Sequence, residues 1–145
     1  MSHKRILLIE DNAVNRRLAQ FLLKSKGYEV WEATSAPEAF ATLQERRPDL
    51  ILMDIQLPEV DGLTATRHLK ADPATRDIPV VAVTSYAMKG DEAMALEAGC
   101  SGYVTKPIDK VLFLDTVAKI LADRHGNQPG TPRVIVGVPE AEEVP

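Results

Sequence analysis

Five short apolar runs, each followed by residues at helical spacing, restrict the fold of this chain more than any other feature of its sequence. The runs fall at about 5–9, 29–33, 49–53, 79–83 and 102–104, and strands buried on both faces read as such short, continuous apolar segments. Strands that alternate with helices pair in parallel, because each helical crossover carries the chain back to the edge it started from. The expected architecture is therefore an open parallel α/β sheet covered by helices on both faces.

The intervening segments carry their own stop and start signals. Behind Asn12, a cap residue, Val14, Leu18, Phe21 and Leu22 recur as the apolar stripe of a first helix, which Gly27 ends. Ser35-Ala-Pro-Glu38 has capping-box spacing, and Ala39, Phe40 and Leu43 extend a second helix to about Arg47, before Pro48. Leu63, Thr66, Leu69 and Lys70 mark a short third helix broken by Asp72-Pro73. A fourth, Asp91 to Ala98, ends at Gly99; Ala93, Ala95 and Ala98 bury little beside Met94 and Leu96, so it is expected to shift at low cost. The last helix, about Lys110 to Asp123, is capped by Asp109 and turns Leu114, Val117, Ala118 and Leu121 toward the core.

A chain of 145 residues suits one such domain plus a tail. The expected division is a domain over 1–125 and a tail over 126–145, where Pro129, Gly130, Pro132, Gly137 and Pro139 are joined by Glu140, Glu142 and Glu143, with no output domain after it. Within the tail, Val134-Ile-Val136 has strand propensity and suits pairing with a sheet edge, although a disordered end is the simpler reading. Seventeen Lys+Arg against 21 Asp+Glu give a net charge of −4, which supplies no electrostatic footprint for nucleic acid. Cys100 stands alone, so no intramolecular disulfide forms and a thiol-rich metal site is excluded. No apolar stretch approaches the ~20 residues needed to span a bilayer, and Met1-Ser-His-Lys-Arg5 leads straight into the first strand. A cytoplasmic protein without membrane insertion is expected.

Several strands end in chemistry. Ile6–Ile9 runs into Glu10-Asp11, Leu50–Met53 into Asp54, Val80–Val83 into Thr84-Ser85, and Lys106-Pro107 lies just past the fifth strand. Open α/β sheets bind ligands beyond the carboxyl ends of their strands. Each residue alone has an ordinary role as a solvated loop starter, cap or surface charge, but their convergence on one rim is not expected by chance. Glu10, Asp11 and Asp54 would crowd three negative charges, which a divalent cation or protonation relieves. Carboxylates with water and carbonyl oxygens suit Mg²⁺, Lys106 suits a phosphoryl oxygen, and an aspartate can itself be the nucleophile in phosphoryl transfer. His3, His68 and His125 lack metal-ligand spacing, and Cys100 reads as a packing residue.

The motifs Ile9-Glu-Asp-Asn12, Leu52-Met-Asp-Ile-Gln-Leu-Pro58 with Asp61-Gly62, Val83-Thr-Ser85 and Lys106-Pro107 closely resemble the receiver domain of bacterial two-component response regulators, over about residues 4–124. Asn12, Asn15, Ala87-Met-Lys-Gly-Asp-Glu92 and Gly99-Cys100 resemble in particular stand-alone receivers of the DivK type. The resemblance implies a flavodoxin-like (βα)5 fold whose five strands lie in the order 2-1-3-4-5. It implies that Asp54 accepts a phosphoryl group from a sensor histidine kinase or a histidine phosphotransfer protein. Asp11, Asp54 and the backbone carbonyl of Gln56 would ligate Mg²⁺, with Glu10 acting through a metal-bound water. Lys106, with a cis bond to Pro107, would pair with the phosphoryl group, and Thr84 would supply the switch hydroxyl. Tyr103 would turn inward as Thr84 moves, the ordinary alternative being a half-buried ring with its hydroxyl in water. Gln56 and Tyr86 occupy positions that govern access of hydrolytic water, and the hydroxyl of Ser85 would compete for local hydrogen bonds.

The resemblance also implies a signal carried by the face of the fourth helix, fifth strand and fifth helix, including Met88 and Lys89, to a downstream protein partner or a second copy in a homodimer. Donor specificity would lie on the first helix at Asn15, Arg16, Ala19 and Gln20. Two other classes compete with this reading. A metal-dependent phosphohydrolase with an aspartyl-phosphate intermediate usually carries a second carboxylate two residues after the nucleophile, where this chain has Gln56. A phosphorylation-independent scaffold would not need all five of Glu10, Asp11, Asp54, Thr84 and Lys106.

Overall fold

The computed structural model describes residues 4–57, 60–85 and 91–122. The expected tail, His3, His125, Pro58, Tyr86, Met88 and Lys89 lie outside them. Five strands, β1 (Arg5–Ile9), β2 (Glu29–Ala33), β3 (Leu50–Asp54), β4 (Val80–Thr84) and β5 (Gly102–Thr105), alternate with α1 (Ala13–Ser25), α2 (Ala36–Leu43), α3 (Gly62–Ala71), α4 (Asp91–Ala98) and α5 (Lys110–Ala122). All pairings are parallel, in the order β2-β1-β3-β4-β5, and the fold is the flavodoxin-like one expected.

Because alternate strand residues face opposite sides, the sheet divides the core in two. Leu7, Ile9, Ile51, Met53, Val80, Ala82 and Tyr103 meet Ala36 and Ala39 of α2, Ala65 and Leu69 of α3 and Ala95 of α4. Ile6, Leu8, Leu50, Leu52, Val81, Val83 and Val104 meet Ala19, Leu22 and Leu23 of α1 and Phe113, Leu114, Val117 and Ile120 of α5. β3, at the centre of the sheet, is buried along its whole length. Its last residue, Asp54, therefore has protein on both sides.

Local signals set the helix ends. Asn12 Oδ1 accepts the Asn15 N–H at 2.9 Å, Asp61 Oδ1 accepts that of Thr64 at 2.9 Å, and Asp109 Oδ1 accepts that of Leu112 at 3.0 Å, each satisfying an otherwise orphaned donor. At α2 the capping box is modified: Ser35 Oγ accepts the Glu38 N–H at 3.3 Å, but Glu38 reaches past the cap residue to the N–H and hydroxyl of Thr34. Two positive-φ glycines follow α1 and α4, Gly27 at 87° and Gly99 at 113°. A Cβ on Gly99 would also lie 2.6 Å from Cγ of Lys70, whose ammonium donates to the Ile78 carbonyl at 2.6 Å, so the stem of Lys70 underlies the end of α4. The next residue, Cys100, is fully buried in the core.

The helices depart from the expected stripes. On α1, Val14, Leu18 and Phe21 are 76%, 42% and 68% exposed, while Ala19 joins Leu22 and Leu23 in the core. Ala19 is small enough to let the helix lie close to the sheet, and the larger apolar residues are left outside. On α5, Ala118 faces out and Thr116 is fully buried, its hydroxyl donating to the Leu112 carbonyl at 2.7 Å. On α4 the alanines Ala95 and Ala98 are the buried positions and Met94 is 47% exposed. α2 ends at Leu43 instead of about Arg47, because Gln44 and Glu45 close it with shorter-range hydrogen bonds to Ala41 and Thr42.

Candidate functional site

The carboxyl ends of β1, β3, β4 and β5 form one rim. The β1 chain continues through the Glu10 N–H, which donates to the Ala33 carbonyl of β2 at 3.0 Å. One carboxylate oxygen from each of Glu10, Asp11 and Asp54 lies within 4.8 Å of the others. Glu10 and Asp54 are only 4% and 2% exposed, whereas Asp11 faces solvent. Lys106 closes the group: its Nζ is 2.9 Å from Glu10 Oε1 and 3.4 Å from Asp54 Oδ2. The cis Lys106–Pro107 bond lies in the turn leaving β5, and the Lys106 N–H donates to the Thr84 carbonyl at 2.7 Å.

Three acids and one lysine leave the rim net negative. Burial is the main cause lifting the Glu10 carboxyl above the ordinary carboxylate range; the Lys106 hydrogen bond pulls it down, and the negative charge of Asp54 raises it further. The Asn12 N–H also steadies the charged form through Glu10 Oε2 at 3.1 Å. The residues present thus fit a hard divalent cation: oxygen donors, two of them buried, with more negative charge than Lys106 offsets.

Asp54 is oriented by its own turn. The Gln56 N–H donates to Asp54 Oδ1 at 2.9 Å, and the Gln56 side-chain oxygen accepts the Ser85 N–H at 3.0 Å, tying the β3 turn to the end of β4. It is thus the backbone of Ser85 that makes this tie. Gly62 approaches so closely that a Cβ there would lie 2.3 Å from the Asp54 carbonyl oxygen, while its N–H donates to the Ile55 carbonyl at 2.9 Å. Only glycine fits between α3 and the end of β3.

The rim therefore brings together Glu10, Asp11, Asp54 and Lys106, with the main chain of Gln56 alongside. Thr84 is 1% exposed at the end of β4, where it borders a cavity of about 320 Å³ lined also by Ile55, Asp61, Leu63, Thr64, Arg67 and Met94. Tyr103 is 1% exposed and part of the core, so its ring is already inside and the half-buried alternative is excluded. The first-helix reading needs correction: Ala19 is buried, and Arg16 is engaged with the acidic segment. Its Nη1 donates to the Glu10 carbonyl at 3.0 Å and approaches that of Asp11 at 3.4 Å, and its Nε pairs with Glu32 Oε1 at 3.5 Å. Nothing in the apolar pattern marked Arg16 or Gly62 for these roles, since both depend on which backbone atoms come near in space.

A parallel five-stranded sheet with an acidic rim closed by a lysine defines the receiver class, and the sequence profile of the response regulator receiver domain matches residues 6–118. The chain belongs to the response regulator receiver family, whose members are phosphoacceptor signalling proteins that work with histidine kinases. It is 47% identical over 120 residues to the polar-differentiation response regulator DivK of Brucella anthropi, an alignment covering 83% of this chain and 98% of that protein. Among solved structures it resembles, with a TM-score of 0.77 and 34% identity, the receiver domain of the sensor histidine kinase PA1611 from Pseudomonas aeruginosa, covering 84% of this chain and all of that one. That structure has a magnesium ion coordinated in its active site cleft. The chemotaxis response regulator CheY4 of Vibrio cholerae, 23% identical over 82% of this chain and 99% of its own, shares the fold with a TM-score of 0.77. Among the described residues, no helix is long and apolar enough to cross a membrane.

Proposed function

We propose that Asp54 is the phosphoacceptor of a single-domain, DivK-like response regulator, and that the phosphoryl group comes from the phosphohistidine of a sensor kinase or a phosphotransfer protein. The observation that carries this is the burial of Asp54 at 2% exposure beside two further acids and Lys106. In the transfer, an Asp54 carboxylate oxygen forms the new P–O bond as the P–N bond to the donor imidazole breaks. The leaving nitrogen keeps the electron pair and takes up a proton. Asp11, Asp54 and the Gln56 carbonyl would hold Mg²⁺ directly, and Glu10 through water; when bound, the ion supplies charge compensation for the acids and the transferred group. Lys106, already 3.4 Å from Asp54, then faces a phosphoryl oxygen.

Thr84 is the group that senses the product, moving its hydroxyl toward the phosphoryl group with Tyr103 packed inside behind it. The change is read on the α4-β5-α5 face by a downstream protein or a second copy of the chain. Donor recognition falls to α1, with Asn15 and Gln20 beside the exposed Val14, Leu18 and Phe21. The relatives and the net charge of −4 support a cytoplasmic protein with neither nucleic acid nor membrane as direct partner.

Incubation with Mg²⁺ and acetyl phosphate tests the assignment by intact-mass measurement. One acid-labile phosphoryl group per chain is expected, absent in Asp54→Asn; turnover of diverse phosphoesters would indicate a hydrolase instead, and no modification a scaffold. Phe21→Ala is expected to slow transfer from a phosphohistidine donor while leaving the acetyl phosphate reaction intact.

A further inference from the structure

Arg16 lies one turn into α1, where an exposed arginine is ordinarily a solvated charge. Its side chain is only 22% exposed, and its guanidinium spans three points: the Glu10 carbonyl at 3.0 Å, the Asp11 carbonyl at 3.4 Å and the Glu32 carboxylate at 3.5 Å. It thus joins the main chain of two rim acids to β2. We infer that Arg16 is a positioning residue for the divalent-cation site, fixing the backbone from which Glu10 and Asp11 project; the inference rests on the reading of the rim as a Mg²⁺-assisted phosphoacceptor.

The two acids differ in how they are held. Glu10 is fastened at its N–H by Ala33 and at its carboxylate by Lys106 and Asn12. Asp11 is exposed, and among the described residues its carboxylate has no hydrogen-bond partner. The Arg16 guanidinium reaches its carbonyl. A planar fork can hold two carbonyls and a carboxylate at once, whereas an ammonium is a single point charge with different geometry. Glu32 at 3.5 Å offsets the arginine charge.

Charge and position have opposite consequences here. As a cation near an acidic site, Arg16 weakens binding of a second cation, so if charge were its only effect, removing it would tighten Mg²⁺ binding. As a strut it does the reverse, because a loosened ligand loses affinity; groups that orient metal ligands typically contribute about 10–100-fold.

The test is calorimetric titration of Mg²⁺ into the full chain as wild type, Arg16→Met and Arg16→Lys, with thermal unfolding in Mg²⁺-free buffer. The expected result is an affinity loss of about tenfold in Arg16→Met and a loss of the same sign in Arg16→Lys, which keeps the charge. The Mg²⁺ concentration giving half-maximal acetyl phosphate labelling should rise in parallel, and saturating Mg²⁺ should restore most of the rate. Unchanged or tighter binding in both variants would overturn the inference. If Arg16→Met does not unfold cooperatively, Arg16→Lys decides alone, since a charge role predicts no change there and a strut predicts a loss. A wild-type chain that neither binds Mg²⁺ nor takes up phosphoryl would overturn the phosphoacceptor reading itself, a result distinct from variants that match a binding-competent wild type.

Discussion

Replacing the proposed phosphoacceptor by asparagine is expected to make the protein more stable in the absence of Mg²⁺. The Asp54 carboxylate has a negative oxygen of Glu10 and one of Asp11 within 4.8 Å; at an effective dielectric constant of about 20, each repulsion is worth about 3.5 kcal/mol before solvent screening. Lys106 at 3.4 Å returns about 5 kcal/mol on the same scale. Screening at exposed Asp11 brings repulsion and attraction close to balance, which leaves the desolvation of a carboxylate that is 2% exposed, several kcal/mol for an ion, offset only in part by the Gln56 N–H hydrogen bond to Oδ1. Asparagine keeps an oxygen for the Gln56 N–H, and Lys106 keeps Glu10 at 2.9 Å. We expect a net gain of about 1–3 kcal/mol, or a rise in Tm of roughly 3–10 °C for a domain of this size.

Urea and thermal unfolding in EDTA, followed by circular dichroism, measure the gain. Repeating both in saturating Mg²⁺ should narrow the gap, since a ligand that binds only the folded state stabilises the better binder more. An Asp54→Asn protein equal to or less stable than wild type in EDTA would refute the electrostatic account of the rim.

Three further outcomes follow from the same geometry. Lys106→Met leaves two buried acids uncompensated and should cost about 3–5 kcal/mol at pH 7, measured by urea midpoint, with Lys106→Met/Asp54→Asn recovering part of the loss. Gly62→Ala drives a methyl to 2.3 Å from the Asp54 carbonyl and should cost about 1–3 kcal/mol while slowing acetyl phosphate labelling; wild-type behaviour in both would disprove the close approach. Asp61, the α3 cap, is held below its ordinary value chiefly by the Thr64 N–H; its contribution is therefore complete above the unfolded carboxylate range and lost as pH falls through the lower folded value. The stability deficit of Asp61→Ala, about 1 kcal/mol at pH 7, should shrink below about pH 4, whereas a deficit that grows on acidification would contradict the assignment.

Strands and rim were readable because the signals were local: an apolar run ending in a charge places that charge at the end of a buried strand wherever the strand sits. The β3 and β4 bounds moved by one residue, which brought Asp54 and Thr84 inside their strands. Helix faces were less readable. α1 carries two overlapping apolar stripes that share Leu22; periodicity favours the one with larger residues, whereas packing selects the one in which Ala19 permits a close approach to the sheet. Thr116 on α5 was missed because a hydroxyl bonded within its own helix buries as readily as an alkyl group. The tasks of Arg16 and Gly62 are contacts with main-chain oxygens, which side-chain patterns do not encode.

The single cysteine gives this chain a built-in clock. Cys100 is inaccessible at the corner between α4 and β5, so a thiol reagent can reach it only when that corner opens, and its labelling rate counts openings. No second thiol contributes to the signal, and no engineered probe disturbs the packing. Labelling with and without acetyl phosphate therefore converts the proposed response of the α4-β5-α5 face into a difference between two rate constants of the unmodified protein.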